Sequence, residues 1–133
     1  MVFNSQICTT REQSKRLLAL GLKKETADCI LVENPFEKDR YVMFPIVDID
    51  ETLENEMCDE PIPAWSLHRL MEMCPLIPNP SRFLAITTFK TVYVRMNDEM
   101  DICYAGKGTY DNLIDCIEWI IEEGYFDKIY LEE

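Results

Sequence analysis

The chain has 133 residues, of which 47% are hydrophobic and 29% are charged, and its formal net charge is −12. A chain of this length normally folds as one domain and buries roughly two-thirds of its unfolded surface, so it needs neither disulfides nor a structural metal for its core. Its apolar runs are far shorter than the roughly 20 residues of a membrane-spanning helix, and its N-terminus lacks a signal-peptide pattern, so we expect a cytoplasmic protein without a membrane partner.

The N-terminal part of the chain predicts one helix and two strands. These elements are a helix that ends near Leu20, a strand at Cys29–Glu33 and a strand at Arg40–Ile49. Thr9 and Glu12 have the spacing of a capping box, and Gly21 suits the left-handed position that ends a helix. Pro45 has no N–H to donate, so the second strand should lie at a sheet edge or contain a bulge there.

The rest of the sequence predicts a long loop, two helices and about three strands. These elements are an acidic loop over residues 50–63, a helix from about Pro63 to Met73, strands at Arg82–Phe89, Thr91–Met96 and Ile102–Ala105, and a final helix. Thr109 is the predicted N-cap of the final helix and Gly124 its stop. The aromatic tail Tyr125–Leu131 should dock on the domain.

Short polar turns between the predicted strands indicate antiparallel pairing. Helices that cover one face of such a sheet give a two-layer α+β domain. We therefore predict that residues 1–133 form a single α+β domain, in which an antiparallel sheet of about 4–5 strands is packed by three helices.

Three stretches together resemble a known group of proteins: Thr10–Asp28, Ile62–Met73 and Leu113–Tyr125. The group consists of small uncharacterised proteins found in gut-bacterial genomes, often in prophages or other mobile elements. The resemblance covers less than half of the chain, and its segments consist of helix caps and core positions. It implies an accessory protein of a mobile element and names no catalytic residue.

A dense acidic segment is the first candidate site, with seven carboxylates within residues 48–60. Clustered carboxylates are the ligands that Mg²⁺ and Ca²⁺ require, and Asp48 and Asp50 match the start of an EF-hand loop. The match then fails at the sixth and twelfth positions, where that loop needs Gly and Glu. A metal site at Asp48, Asp50 and Glu51 is thus one hypothesis, and a solvated acidic loop is the other.

The single histidine, His68, is the centre of the second candidate. On the predicted middle helix, Trp65, His68 and Glu72 are one turn apart, so they share the side opposite the apolar stripe. A His–Glu pair can act as an acid/base couple, or it can be a surface ion pair. A tryptophan on a polar side favours a partner-binding surface, and alanine at Trp65 and His68 should then abolish binding without loss of stability.

The third candidate is the glycine-rich turn before the final helix. Amides at a helix N-terminus can bind an anion together with a lysine, so Lys107, Gly108 and Thr109 form a candidate anion site. The turn is not a P-loop, because Asp101 stands where the first Gly would be required. The alternative is an ordinary capped turn.

Cysteine usage points to no catalytic or cofactor site. The six cysteines show neither Cys-x-x-Cys nor a zinc-ligand spacing, so we expect free thiols that pack as small apolar side chains. Any Cys–His couple would have to use His68. We therefore assign no catalytic residue and no cofactor.

Charge is distributed unevenly: residues 1–47 hold seven basic and six acidic residues, whereas residues 48–133 hold six basic and nineteen acidic ones. Such a surface repels phosphate backbones, so direct nucleic-acid binding is not expected. The leading hypothesis is a non-enzymatic protein–protein interaction factor, either with an unknown partner, for which the acidic charge favours a basic protein, or as a homo-oligomer. The alternatives are a divalent-metal-binding domain or metal-dependent hydrolase, and a protein that mimics the charge of DNA.

Overall fold

A computed structural model describes residues 5–34, 36–45, 61–95, 97 and 99–133. Three α-helices and six strands lie among these residues. In chain order they are α1 (Arg11–Ala19), β1 (Cys29–Glu33), β2 (Tyr41–Pro45), β3 (Ile62–Ala64), α2 (Leu67–Met73), β4 (Arg82–Ile86), β5 (Lys90–Arg95), β6 (Met100–Ala105) and α3 (Thr109–Glu122). Two short 3₁₀ turns, Lys24–Thr26 and Lys128–Tyr130, complete the described secondary structure.

The predicted α+β class is confirmed, but the prediction of one sheet of about 4–5 strands is wrong. The described strands form two antiparallel three-stranded sheets, in the orders β2-β1-β3 and β4-β5-β6. Cys29 of β1 pairs with Pro45 on one side and with Ala64 on the other. Both edges of β1 are therefore occupied within the first sheet, and the second sheet forms separately. Strand β2 lies at an edge, as Pro45 requires.

The first helix begins one residue later than its capping signal predicted. Thr10 is the N-cap: its hydroxyl accepts from the Gln13 N–H, and the Gln13 side chain accepts from the Thr10 N–H. Thr9 instead makes a buried hydrogen bond to the Ser14 hydroxyl. The predicted stop is confirmed, since Gly21 has a φ of 105° directly after the C-cap residue.

The second helix is shorter than predicted at its N-terminal end. It begins at Leu67 rather than near Pro63, because the Ser66 hydroxyl caps it by accepting from the Arg69 N–H. The Asp28 carboxylate accepts from both the N–H and the hydroxyl of Ser66. The segment before Ser66 is consequently extended.

The main hydrophobic core lies around α3, which has seven buried residues in its 14. Its N-cap is Gly108 rather than Thr109, and Gly124 follows the C-cap with a φ of 79°. The tail docks as predicted, since Phe126 is buried and Leu131 packs against the main core. Among the described residues, no helix has both the length and the apolar character that a membrane crossing requires.

Candidate functional site

Trp65 lies in the core, so its predicted place on an exposed partner-binding face is wrong. Its side chain is fully buried, and its indole N–H donates to the Thr26 hydroxyl at 2.9 Å. Its backbone N–H donates to the Thr9 hydroxyl at 3.0 Å. The helical spacing that grouped Trp65 with His68 does not apply, because Trp65 precedes the first residue of α2.

His68 and Glu72 do lie together on the exposed side of α2. The distance from His68 Nε2 to Glu72 Oε1 is 3.1 Å, and their side chains are 84% and 49% exposed. Arg69 approaches the same carboxylate at 3.8 Å. With Trp65 in the core, the pair lacks the aromatic wall that the catalytic interpretation required, and it has the geometry of a surface ion pair.

The turn before α3 is held in place by side chains of α3 and α1. The Lys107 ammonium lies 2.9 Å from the Asp115 carboxylate, which also accepts from the Arg16 guanidinium at 2.7 Å. Burial acts to raise the pKa of Asp115, but the hydrogen bonds from Lys107 and Arg16 outweigh it and hold that pKa below its usual range. The buried Asn112 side chain accepts from the Lys107 N–H and donates to the Lys107 carbonyl.

The ammonium of Lys107 is thus already paired with a carboxylate, and Gly108 is the N-cap residue of α3. An anion at Lys107, Gly108 and Thr109 would have to compete with Asp115 for the lysine. The anion site stays a prediction, and the geometry fits a capped strand-to-helix turn.

The acidic candidate site at Asp48, Asp50 and Glu51 lies outside the described residues. Across the ranges that the structure describes, no group of three or more His, Cys, Asp or Glu side chains could hold a metal ion.

Five cysteines lie among the described residues, and all five are free: Cys8, Cys29, Cys74, Cys103 and Cys116. Cys58 lies outside the described part. Burial raises the pKa of Cys29 to about 12, with a further contribution from the nearby Asp28 carboxylate. Burial alone raises the pKa of Cys116 to about 12. Neither thiol forms a nucleophilic thiolate at neutral pH, which agrees with the prediction of apolar packing.

One face of the second sheet packs into the main core. Its core-facing side chains are Leu84 and Ile86 of β4, Tyr93 of β5, and Ile102 and Tyr104 of β6. The register brings these side chains into line, since Leu84 pairs with Tyr93, which pairs with Ile102. The α3 helix covers this inner face.

The opposite, outer face of the second sheet is also apolar, and sequence reasoning did not identify it. It consists of Phe83, Ala85, Lys90, Val92, Val94, Met100, Cys103 and Ala105. None of these residues belongs to either described core cluster. Val92, at the centre of this face, is nevertheless only 4% exposed. The Lys90 ammonium lies 3.6 Å from Met100 Sδ, so the lysine side chain extends across this face.

Large apolar side chains on the outer face remain open to solvent. Phe83 is 39% exposed and Met100 56% exposed, and Phe89 in the adjoining β4–β5 turn is 80% exposed. An antiparallel sheet with one solvated face normally carries polar residues there. The signal was present in the sequence, since Val92 and Val94 lie on one face of β5 and Tyr93 on the other, so large apolar or aromatic side chains occur on both faces. The pattern does not reveal which face the protein itself covers.

No family model matches the chain, and neither the curated proteins nor the solved structures contain one that is significantly similar to it.

Proposed function

We propose that the chain is a non-enzymatic, cytoplasmic accessory protein of a mobile element, and that it binds a basic protein partner on the outer face of the second sheet. The observation that carries the proposal is the apolar character of that face. Contiguous exposed apolar surface is typical of interaction sites. The mobile-element role comes from the sequence resemblance, and no catalytic constellation among the described residues suggests chemistry instead.

The size of the outer face suits the centre of an interface. Strands lie about 4.8 Å apart and rise about 3.3 Å per residue, so three strands of five or six residues span roughly 14 by 18 Å. A standard interface buries about 800 Å² on each partner. The outer face would therefore supply the apolar centre, with Phe83 and Met100 as anchors, and flanking residues such as Phe89 would extend the contact.

Charge favours a different, basic protein over a second copy of the chain. The net charge of −12 makes two copies repel each other, whereas a basic protein is attracted. Lys90 is the one cationic residue of the outer face, and its side chain already lies along that face beside Met100.

A double substitution tests the proposal. Phe83→Lys with Met100→Lys places two ammonium groups on the outer face, which should abolish capture of the partner. Leu76→Lys with Ile129→Lys is the matched control, because these side chains are 66% and 65% exposed elsewhere on the molecule and the charge change is identical. In both double variants, each substitution should change the free energy of unfolding in urea by no more than about 0.5 kcal/mol relative to the parent.

The readout is quantitative affinity capture together with the mass measured by light scattering. Loss of capture in the outer-face pair but not in the control pair supports the proposal. Equal capture by both pairs would refute it. A parent dimer that only the outer-face pair dissociates would show that the partner is a second copy of the chain.

A further inference from the structure

A cavity of about 540 Å³ opens between the start of α1 and the first sheet, and none of its lining residues belongs to the second sheet. Leu31 of β1 and Tyr41 and Met43 of β2 form its apolar wall, and Arg11 lies at its rim. Its volume falls in the range of small-molecule sites, which combine apolar walls with a few polar groups that fix orientation.

Arg11 supplies a buried donor, Nε, that makes no hydrogen bond to the described residues. Its guanidinium lies over the Tyr41 ring, 5.5 Å from the ring centre. Its Nε is buried and makes no hydrogen bond, and no ion pair joins the guanidinium to any described residue. Buried donors are rarely left unpaired in folded proteins. Arg82 provides the contrast, since its Nε is also unpaired but its other nitrogens donate to Asp101 and Tyr125.

We propose that this cavity binds a small organic molecule with a single carboxylate on an apolar body. The guanidinium presents paired N–H donors that match a carboxylate, and the ring of Tyr41 holds it in place. The apolar body packs against Leu31 and Met43. Glu12 and Asp39 also line the cavity, and their charges disfavour a phosphate with two negative charges. This site is separate from the outer face and does not depend on the proposed function.

Octanoate and 3-phenylpropionate are the probes, with octanol as the uncharged counterpart of the first. We expect millimolar octanoate to shift the NMR signals of Arg11, Tyr41 and Met43, with saturation, and octanol to bind at least about tenfold more weakly. Arg11→Gln should weaken octanoate binding by about tenfold or more. Lys15→Gln is the matched control, because it removes one positive charge from the exposed side of the same helix and should leave binding unchanged.

Arg11→Lys keeps the charge without the paired donors, so it should bind octanoate with intermediate affinity, and it serves as the test if Arg11→Gln does not fold. Equal binding of octanoate and octanol would overturn the proposal, because the cavity would then be merely apolar. It would also be overturned if neither carboxylate shifts the cavity signals at millimolar concentration, or if Arg11→Gln and Lys15→Gln bind octanoate alike.

Discussion

Replacement of Trp65 by alanine should destabilise the protein severely, although Trp65 is only three residues from the exposed His68 in the sequence. Removal of a buried tryptophan side chain costs about 3–5 kcal/mol through lost burial and the cavity that remains. The indole N–H also donates to Thr26 at 2.9 Å, and loss of this bond adds about 1 kcal/mol. Because the free energy of unfolding of such a domain is about 5–15 kcal/mol, Trp65→Ala should remove a large part of it.

Urea unfolding measures this loss, and Trp119 remains as a fluorescent reporter in the variant. Trp65→Phe should show an intermediate loss, because it keeps an aromatic ring but leaves Thr26 without its donor. His68→Ala is the control and should change the unfolding free energy by no more than about 0.5 kcal/mol, since its side chain is 84% exposed. If Trp65→Ala proved as mild as His68→Ala, the placement of Trp65 in the core would be wrong.

Three further outcomes follow from individual contacts. The hydrogen bond from Arg82 holds the pKa of Asp101 below its usual range, so the pair stabilises the protein at neutral pH and should lose this contribution as the pH falls below about 4. The free energy of unfolding in urea should therefore fall less between neutral and acid pH in Asp101→Asn than in the parent. Asn112→Ala should cost about 2–3 kcal/mol in thermal unfolding, because the buried amide bonds to Lys107 in the turn before α3 and to the Phe89 carbonyl in the β4–β5 turn, and an unchanged midpoint would contradict that role. A thiol reagent should modify the exposed Cys103 in the folded protein but reach the buried Cys116 only after denaturation, as mass spectrometry of the modified peptides would reveal.

Local signals in the sequence predicted the ends of helices well. Gly21 and Gly124 have the positive φ angles that their positions after helices indicated. These signals succeed because they depend on the backbone conformation of one or two residues. The start of α1 was predicted one residue too early, because Thr9 and Thr10 are both suitable caps and only the tertiary contact of Thr9 with Ser14 decides between them.

Tertiary pairing explains the larger errors. The segment Ile62–Ala64 contains a proline and only three strand residues, so its pairing with β1 is invisible without β1 beside it. Once this strand was missed, the helix that follows was extended backwards, and Trp65 was assigned to an exposed face. The contact between the Arg11 guanidinium and the Tyr41 ring was likewise not predictable, since a charged residue at the start of a helix indicates nothing about a neighbour 30 residues away.

The hydrogen bonds around Trp65 have a consequence for the order in which the chain folds during synthesis. Thr9, Thr26 and Asp28 each accept a hydrogen bond from Trp65 or Ser66, which lie 38 to 56 residues later in the chain. A nascent chain that ends before Ile62 therefore lacks these hydrogen bonds, and its first sheet lacks β3. Since α3 supplies much of the main core later still, we expect the emerging N-terminal part to remain open to chaperones and proteases until α3 has left the ribosome.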